Sequence, residues 1–166
     1  MLKVKFSREN KSVKIPTKRE GDAGRDLYVD LEWLNREHGG EIVLEPLQTA
    51  IISTGLRSII PESHYAQIQE RGSTGIKAMK FGAGVLDASF RGIWNIILTN
   101  CSDKIIRIAE DNHCQNPSEI FYPANKGLAQ FVFLEVPKVE IDEVSPEFIL
   151  NSASERGEGK FGSSNK

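Results

Sequence analysis

One carboxylate and one aromatic ring are bracketed by glycines in Gly82-Ala83-Gly84-Val85-Leu86-Asp87-Ala88-Ser89-Phe90-Arg91-Gly92. Glycines at such places let the backbone approach a ligand closely and turn without a steric penalty. The run that follows, Ile93-Trp94-Asn95-Ile96-Ile97-Leu98-Thr99, is too apolar and β-branched for a loop. Asp87 is therefore expected at the crest of a hairpin feeding a buried strand. A carboxylate held there by a rigid scaffold can orient a water. The same residues also make an ordinary hairpin, and the segment alone leaves both readings open.

Four further segments carry polar chemistry. Asp22-Ala23-Gly24-Arg25-Asp26-Leu27-Tyr28 places a glycine ahead of an acidic residue that enters a strand. Glu70-Arg71-Gly72-Ser73-Thr74-Gly75 offers an arginine, two hydroxyls and free backbone N–H groups in one turn, a combination suited to phosphate. It lacks the GxxxxGK[ST] spacing of a Walker loop. Lys126-Gly127-Leu128-Ala129-Gln130-Phe131 opens a strand with a glutamine beside apolar residues. The tail from Ser154 to Lys166 is polar and rich in glycine, with one arginine, Arg156, and one phenylalanine, Phe161. Its composition suits a disordered end, and equally a lid whose ring stacks on a base while the cation clamps a phosphate.

The elements that must position these groups are short strands. Leu2 to Phe6, Glu41 to Leu44, Thr49 to Ser53, Tyr65 to Glu70, Ile93 to Thr99, Ile105 to Ile108, Ala129 to Val136 and Val139 to Ile141 read as strands. Two stretches read as helical: Asp30 to Arg36, ended by Gly39-Gly40, and a turn or two capped by Ser73 that runs through Ile76 and Met79. Many short strands with few helices predict an all-β jelly roll, sandwich or distorted barrel. The expected division is a β domain over 1–153 and a flexible glycine-rich arm over 154–166.

Composition narrows the class. The 166 residues suit one domain, and a net charge of −2 with both signs interspersed gives no support to nucleic acid or an anionic membrane as the main partner. No apolar run is long enough to span a bilayer, and the alternating start is unlike a signal-peptide core, so a cytoplasmic protein is expected. The two cysteines, Cys101 and Cys114, form no CxxC and no histidine clusters with them, which indicates neither a zinc site nor a disulfide framework.

Taken in order, the five segments resemble the five motifs of the homotrimeric deoxyuridine triphosphatase (dUTPase) family. The family patterns AGxDL, an RS-hydroxyl segment, GVIDxxYRG, RIAQ and RGxGGFGS are met here by AGRDL from Ala23, RGST from Arg71, GVLDASFRG from Gly84, LAQ from Leu128 and RGEGKFGSS from Arg156. Five ordered matches spread from Ala23 to Ser164 are far more specific than any one of them.

The resemblance implies a β-clip jelly roll and a reaction in which dUTP and water give dUMP and pyrophosphate, keeping uracil out of DNA and supplying dUMP for dTMP synthesis. It implies Asp87 as the base that orients water for attack on the α-phosphorus, and Gln130 as a partner that helps hold the water and the hairpin. Backbone at Ala83, Gly84, Val85 and Leu86 would hydrogen-bond the uracil, and Phe90 would pack on the deoxyribose. Arg71, Gly72, Ser73 and Thr74 would contact phosphates. The tail would bring Arg156 to the γ-phosphate and Phe161 over the base, with Gly162 and Ser163 beside them. Mg²⁺ would arrive on the triphosphate, and Asp26 would reach it through water. The sequence offers no all-carboxylate cage, which suits an ion that prefers waters and substrate phosphates. Sites shared among three subunits are part of the same implication.

The departures are Gly72 for the serine after the second-motif arginine, Phe90 for tyrosine, Gly127 for the fourth-motif arginine, Lys160 for a tail glycine and Asn165 for the last one. dCTP deaminase shares the fold, but its catalytic glutamate would fall at Ile97, and an isoleucine cannot carry protons. A regulatory, protein-binding role is the other alternative. Residues 102–125 are longer than the family's usual connection and carry His113, Cys114 and Pro117, a candidate surface for a protein partner of the kind phage-encoded relatives carry.

Overall fold

The computed structural model describes residues 1–111, 116–154 and 157–158. The chain parts into a unit Met1–Val136 and a unit Pro137–Lys166.

The first unit is mostly β. Its strands are β1 (Lys5–Arg8), β2 (Arg25–Leu27), β3 (Glu41–Leu44), β4 (Thr49–Ser53), β5 (Leu56–Ile59), β6 (His64–Gln69), β7 (Met79–Gly82), β8 (Val85–Leu86), β9 (Asn95–Asn100), β10 (Ile105–Ala109), β11 (Glu119–Pro123) and β12 (Ala129–Glu135). They form small sheets in the orders β1-β5, β11-β10-β3, β2-β12-β6-β8 and β4-β9-β7. The pairing is antiparallel among the described residues except between β10 and β11. This is a distorted jelly roll, one of the all-β architectures that the strand-rich pattern left open and the one that the family resemblance implies.

Period-two patterning sets which face is buried. In β9 the side chains of Ile96, Leu98 and Asn100 are buried while Asn95, Ile97 and Thr99 face outward or lie half-buried, as alternation across a pleated strand requires. Ile52, Ile96, Leu98, Ile106, Ile108, Leu27 and Phe131 are fully buried in one continuous core. Asn100 is buried too, and its amide is satisfied: Nδ2 donates to the Leu44 and Lys104 carbonyls at 2.9 and 2.8 Å.

Trp94 ties this core to the chemistry-bearing segments. It sits just beyond the Gly82–Gly92 segment and meets Phe131 of β12 edge-on, with ring centroids 5.0 Å apart. Phe6 joins from β1 at 5.4 Å, and Trp94 Nε1 donates to Ser58 Oγ at 3.2 Å. The hairpin that holds Asp87 and the strand that holds Gln130 thus rest on one aromatic cluster.

Helix α1 (Leu31–His38) forms where Asp30 caps it, accepting from the amides of Glu32 and Trp33, and ends at Gly39. The second helix, α2, is one turn over Gly72–Gly75. It is shorter than expected, because Met79 opens β7 instead of continuing a helix. β1 starts at Lys5 and not at Leu2, and Val139 to Ile141 is not a strand. In the second unit, α3 (Pro146–Leu150) starts at Ser145, whose side chain accepts from Phe148 N, with proline at the first helical position.

Residues 102–125 are not a free excursion. β10 and β11 pair with each other and β10 with β3, and Ile106, Ile108 and Tyr122 are buried. His113 and Cys114 lie outside the described residues.

Removing the Trp94 ring empties the centre of the cluster and strands Ser58 Oγ. Trp94→Ala is expected to cost about 3–5 kcal/mol in unfolding free energy, read from denaturant titration. A loss below about 1 kcal/mol would contradict this account of the core.

Candidate active site

The four-stranded sheet β2-β12-β6-β8 carries the first four polar segments. Gln130 on β12 lies opposite Asp26 of β2 on one side and Gln69 of β6 on the other. β6 leads directly into Arg71 and α2, and its far edge pairs with β8 of the hairpin, Ala66 with Leu86 and Gln67 with Val85. Strand pairing therefore brings together residues more than a hundred positions apart.

At one end of this sheet a polar cleft of about 790 Å³ is lined by Asp26, Arg71, Gly72, Ser73 and Gln130 together with Thr17, Lys18, Arg19 and Asp22. Its centre is an ion pair. Arg71 Nε donates to Asp26 Oδ1 at 2.8 Å and Nη2 to Oδ2 at 3.1 Å, a bidentate arrangement. Nη1 donates to the Gly127 carbonyl at 2.9 Å, with Ser73 Oγ and the Tyr122 hydroxyl further out at 3.3 and 3.4 Å. Tyr122 in turn donates to the Gly127 carbonyl at 2.5 Å.

Burial works against the Arg71 charge, but the Tyr122 and Asp26 contacts outweigh it and raise its pKa above the ordinary value. Burial first and the Asp26 carboxylate second push the Tyr28 hydroxyl up as well. Glu70 is held below the usual carboxylate range: burial opposes this, and the amides of Glu70 and Phe81 together with Lys80 overcome it.

Of five guanidinium N–H groups, Arg71 has one on Nη2 without a partner among the described residues. It holds the cleft in shape more than it offers donors to a ligand. Gly72 and Ser73 are exposed and carry the amides that a helix start leaves without intrahelical acceptors. Thr74 corrects the sequence reading. It is fully buried, its hydroxyl bridges the Arg71 amide and carbonyl, and its own amide goes to the Arg71 carbonyl. It has no group left for a phosphate.

Gln130 is fixed by donating from Nε2 to the Glu70 carbonyl at 2.7 Å. Its Oε1 occupies the space where a side chain on Gly24 would begin. Close approach, not turning, is what the glycine of AGRDL supplies.

The hairpin stands apart. Asp87 and Phe90 are exposed, Phe90 with its ring over Gly92. Ile68 N donates to the Gly84 carbonyl at 2.8 Å. Gly84 thus sits at a hydrogen-bonded position and Val85 at the alternate one, so the Val85 amide and carbonyl point to the free edge of the sheet. Ala83 adopts φ 48°, a left-handed conformation uncommon for a residue with a side chain. Counting the ladder from Gln69, opposite Gln130, to Tyr65, abreast of Asp87, separates the two by about 13 Å along the strands. Within one chain Asp87 and Gln130 are not brought together. Arg156, Phe161, Gly162 and Ser163 lie outside the described residues.

The described residues contain no group of three or more His, Cys, Asp or Glu side chains placed to hold a metal ion. The donor set fits only an ion held mainly by water and ligand phosphates. Asp26, with carboxylate lone pairs beyond those Arg71 uses, and Asp22 are the carboxylates that line the cleft.

Lys18, Arg19 and Tyr122 are cleft or support residues that the motifs do not include. Lys18 and Arg19 had a signal in the charged turn Lys18-Arg19-Glu20-Gly21-Asp22; Tyr122 had none.

Residues 10–114 match the dUTPase family. A deoxyuridine 5'-triphosphate nucleotidohydrolase from Candida albicans is 32% identical over 92% of this chain and 82% of its own length. One from Clostridium tetani is 30% identical over 99% of this chain and 97% of its own. Among solved structures, a variant dUTPase of Staphylococcus bacteriophage 80alpha with dUpNHpp superposes with a TM-score of 0.73 at 22% identity, covering 98% of both chains.

Gly127 is a second test of close packing, since a Cβ there would stand 2.9–3.0 Å from the Asp26 side chain. Gly127→Ala is expected to push Asp26 off Arg71 and cost about 1–3 kcal/mol, measured by denaturant unfolding. A neutral result would show that the ion pair tolerates displacement.

Proposed function

The chain belongs to the dUTPase family, and from that premise we propose that it hydrolyses dUTP to dUMP and pyrophosphate. The observation that carries this reading is the pairing of a polar cleft, built on Asp26, Arg71, Ser73 and Gln130, with a separate glycine-bracketed hairpin that presents a carboxylate on the same sheet.

In this reading Asp87 accepts a proton from water as the water oxygen attacks the α-phosphorus. The bond from that phosphorus to the oxygen bridging to the β-phosphate breaks, and pyrophosphate leaves with that oxygen. The outward amide and carbonyl of Val85 match the acceptor and donor alternation along a uracil edge, with Ala83, Gly84 and Leu86 holding that strand in place. The exposed Phe90 ring offers an apolar surface to deoxyribose. The Gly72 and Ser73 amides, the Ser73 hydroxyl and the remaining Arg71 N–H take phosphate oxygens. Gln130 orients groups in the cleft, and Arg156 with Phe161, Gly162 and Ser163 closes over the bound nucleotide from the tail.

Asp26 is the residue that would reach a magnesium ion carried on the substrate phosphates, through water, and the ion would supply charge neutralisation there. The separation of Asp87 from the cleft supports a homotrimer in which one copy's hairpin serves another copy's cleft. The products place the enzyme in removal of dUTP, which keeps uracil out of DNA, and in supply of dUMP. At the deaminase position the side chain is Ile97, paired with Ile51 of β4 and Gly82 of β7, which supports hydrolysis over deamination.

Pyrophosphate release should be strong with dUTP and much weaker with dTTP, dCTP and UTP. Comparable turnover of all four, or ammonia release from dCTP, would overturn the reading. Asp87→Asn keeps shape without a proton acceptor, so kcat should fall about 10²- to 10⁴-fold with dUTP affinity nearly intact. A rate near that of the unaltered protein would move the base elsewhere.

A further inference from the structure

Resting on the dUTP hydrolysis proposed above, we infer that Lys18 and Arg19, on the turn ahead of β2, form the cationic wall that takes the polyphosphate chain of the substrate. Charge balance in the cleft is the starting point. A nucleoside triphosphate is a polyanion, yet Arg71, the cation of the second motif, is neutralised by Asp26 and has four of its five N–H groups engaged. The other cations lining the same cleft are Lys18 and Arg19.

Both are held loosely at their heads and firmly at their base. Among the described residues, the Lys18 ammonium has one contact, the Arg19 carbonyl at 3.3 Å. Arg19 Nε meets Asp22 Oδ2 at 3.2 Å with the side chains 91% and 45% exposed, a pair of the kind that contributes little and exchanges readily for a stronger anion. The backbone is better fixed. Asp22 N closes a turn onto the Arg19 carbonyl at 3.2 Å, with Gly21 at φ 84° supplying the conformation that a type II turn demands at its third position. Val13 and Pro16 bury the chain on the approach, and Asp26 N donates to the Thr17 carbonyl at 3.4 Å. The turn therefore rides on the strand that carries Asp26, and its two cations line the same cleft as Gly72 and Ser73.

The two heads suit different tasks. A guanidinium offers a planar fork to phosphate oxygens, and an ammonium offers a mobile point charge. Asp22 competes with phosphate for Arg19, so it tempers the affinity of this wall.

Lys18→Gln/Arg19→Gln removes both charges and keeps side-chain length on an exposed turn. The readouts are KM for dUTP and the inhibition constants of inorganic tripolyphosphate and of dUMP, at two salt concentrations. The expected result is an increase of about tenfold or more in KM and in the tripolyphosphate constant, a shallower salt dependence, and a dUMP constant that changes far less. Asp22→Asn should move the tripolyphosphate constant the other way. Unaltered protein that turns over dUTP while the double variant shows the same KM and tripolyphosphate constant would overturn this inference and leave the activity standing. Failure of the unaltered protein to release pyrophosphate from dUTP would overturn the activity itself. Equal weakening of tripolyphosphate and dUMP would also overturn the wall, since it would mark a general loss of site structure.

Discussion

The bidentate pair of Asp26 and Arg71 is the constraint on which the site depends. It joins β2 to the turn after β6, and through Nη1 it reaches the Gly127 carbonyl at the entry to β12. Tyr122 of β11 closes the same knot from a neighbouring sheet. With the two side chains 28% and 31% exposed, solvent screens part of the attraction, so the pair is worth less than a buried one. Each charge-assisted bond still contributes roughly 1–2 kcal/mol. Its larger effect is geometric: it leaves the Gly72 and Ser73 amides at the cleft wall and consumes Thr74 in the turn. At Gly127 the Asp26 side chain lies where a Cβ would stand.

A second consequence runs along the sheet. β6 is the common strand, paired with β12 on one side and β8 on the other, and the cleft and the hairpin sit toward its opposite ends. The strand rise turns that offset into a distance too long for a single chain to place Asp87 over a phosphate bound beside Gln130. A site that joins this base to this cleft would draw them from two copies of the chain, as proposed above, and closed symmetry would let every copy give and receive.

Much of this was legible in the residues. The five segments stand out because glycine, carboxylate, arginine and glutamine occur where neither core packing nor turn chemistry explains the whole set. The longer strands were found from their residue types, β9 from an apolar, β-branched run and β12 from the apolar stretch around Gln130. What escaped was short or set by distant partners. β2 and β8 are three and two residues long, too few to show a period, and exist because β12 and β6 hold them. Val139 to Ile141 has strand-like residues, but nothing among the described contacts pairs with it. α3 had its signal in Ser145-Pro146, and Met79 was drawn from a helix into β7 by pairing with Asn100. Thr74 reads as a phosphate ligand from its neighbours in sequence; only the turn geometry shows its hydroxyl already satisfied. Lys18 and Arg19 belong to none of the five segments, and it is the fold that makes them line the same cleft as Arg71.

The most direct test of the central claim, that base and cleft come from different copies, is complementation. Ser73→Asp places a carboxylate where the phosphates would bind while leaving Asp87 intact; Asp87→Asn leaves the cleft intact. Each protein alone should be inactive on dUTP. After subunit exchange, verified by native mass spectrometry, an equal mixture should regain activity toward about a quarter of the sites, the fraction that combine an intact cleft with an intact base. Mixed assemblies without recovered pyrophosphate release would contradict the account.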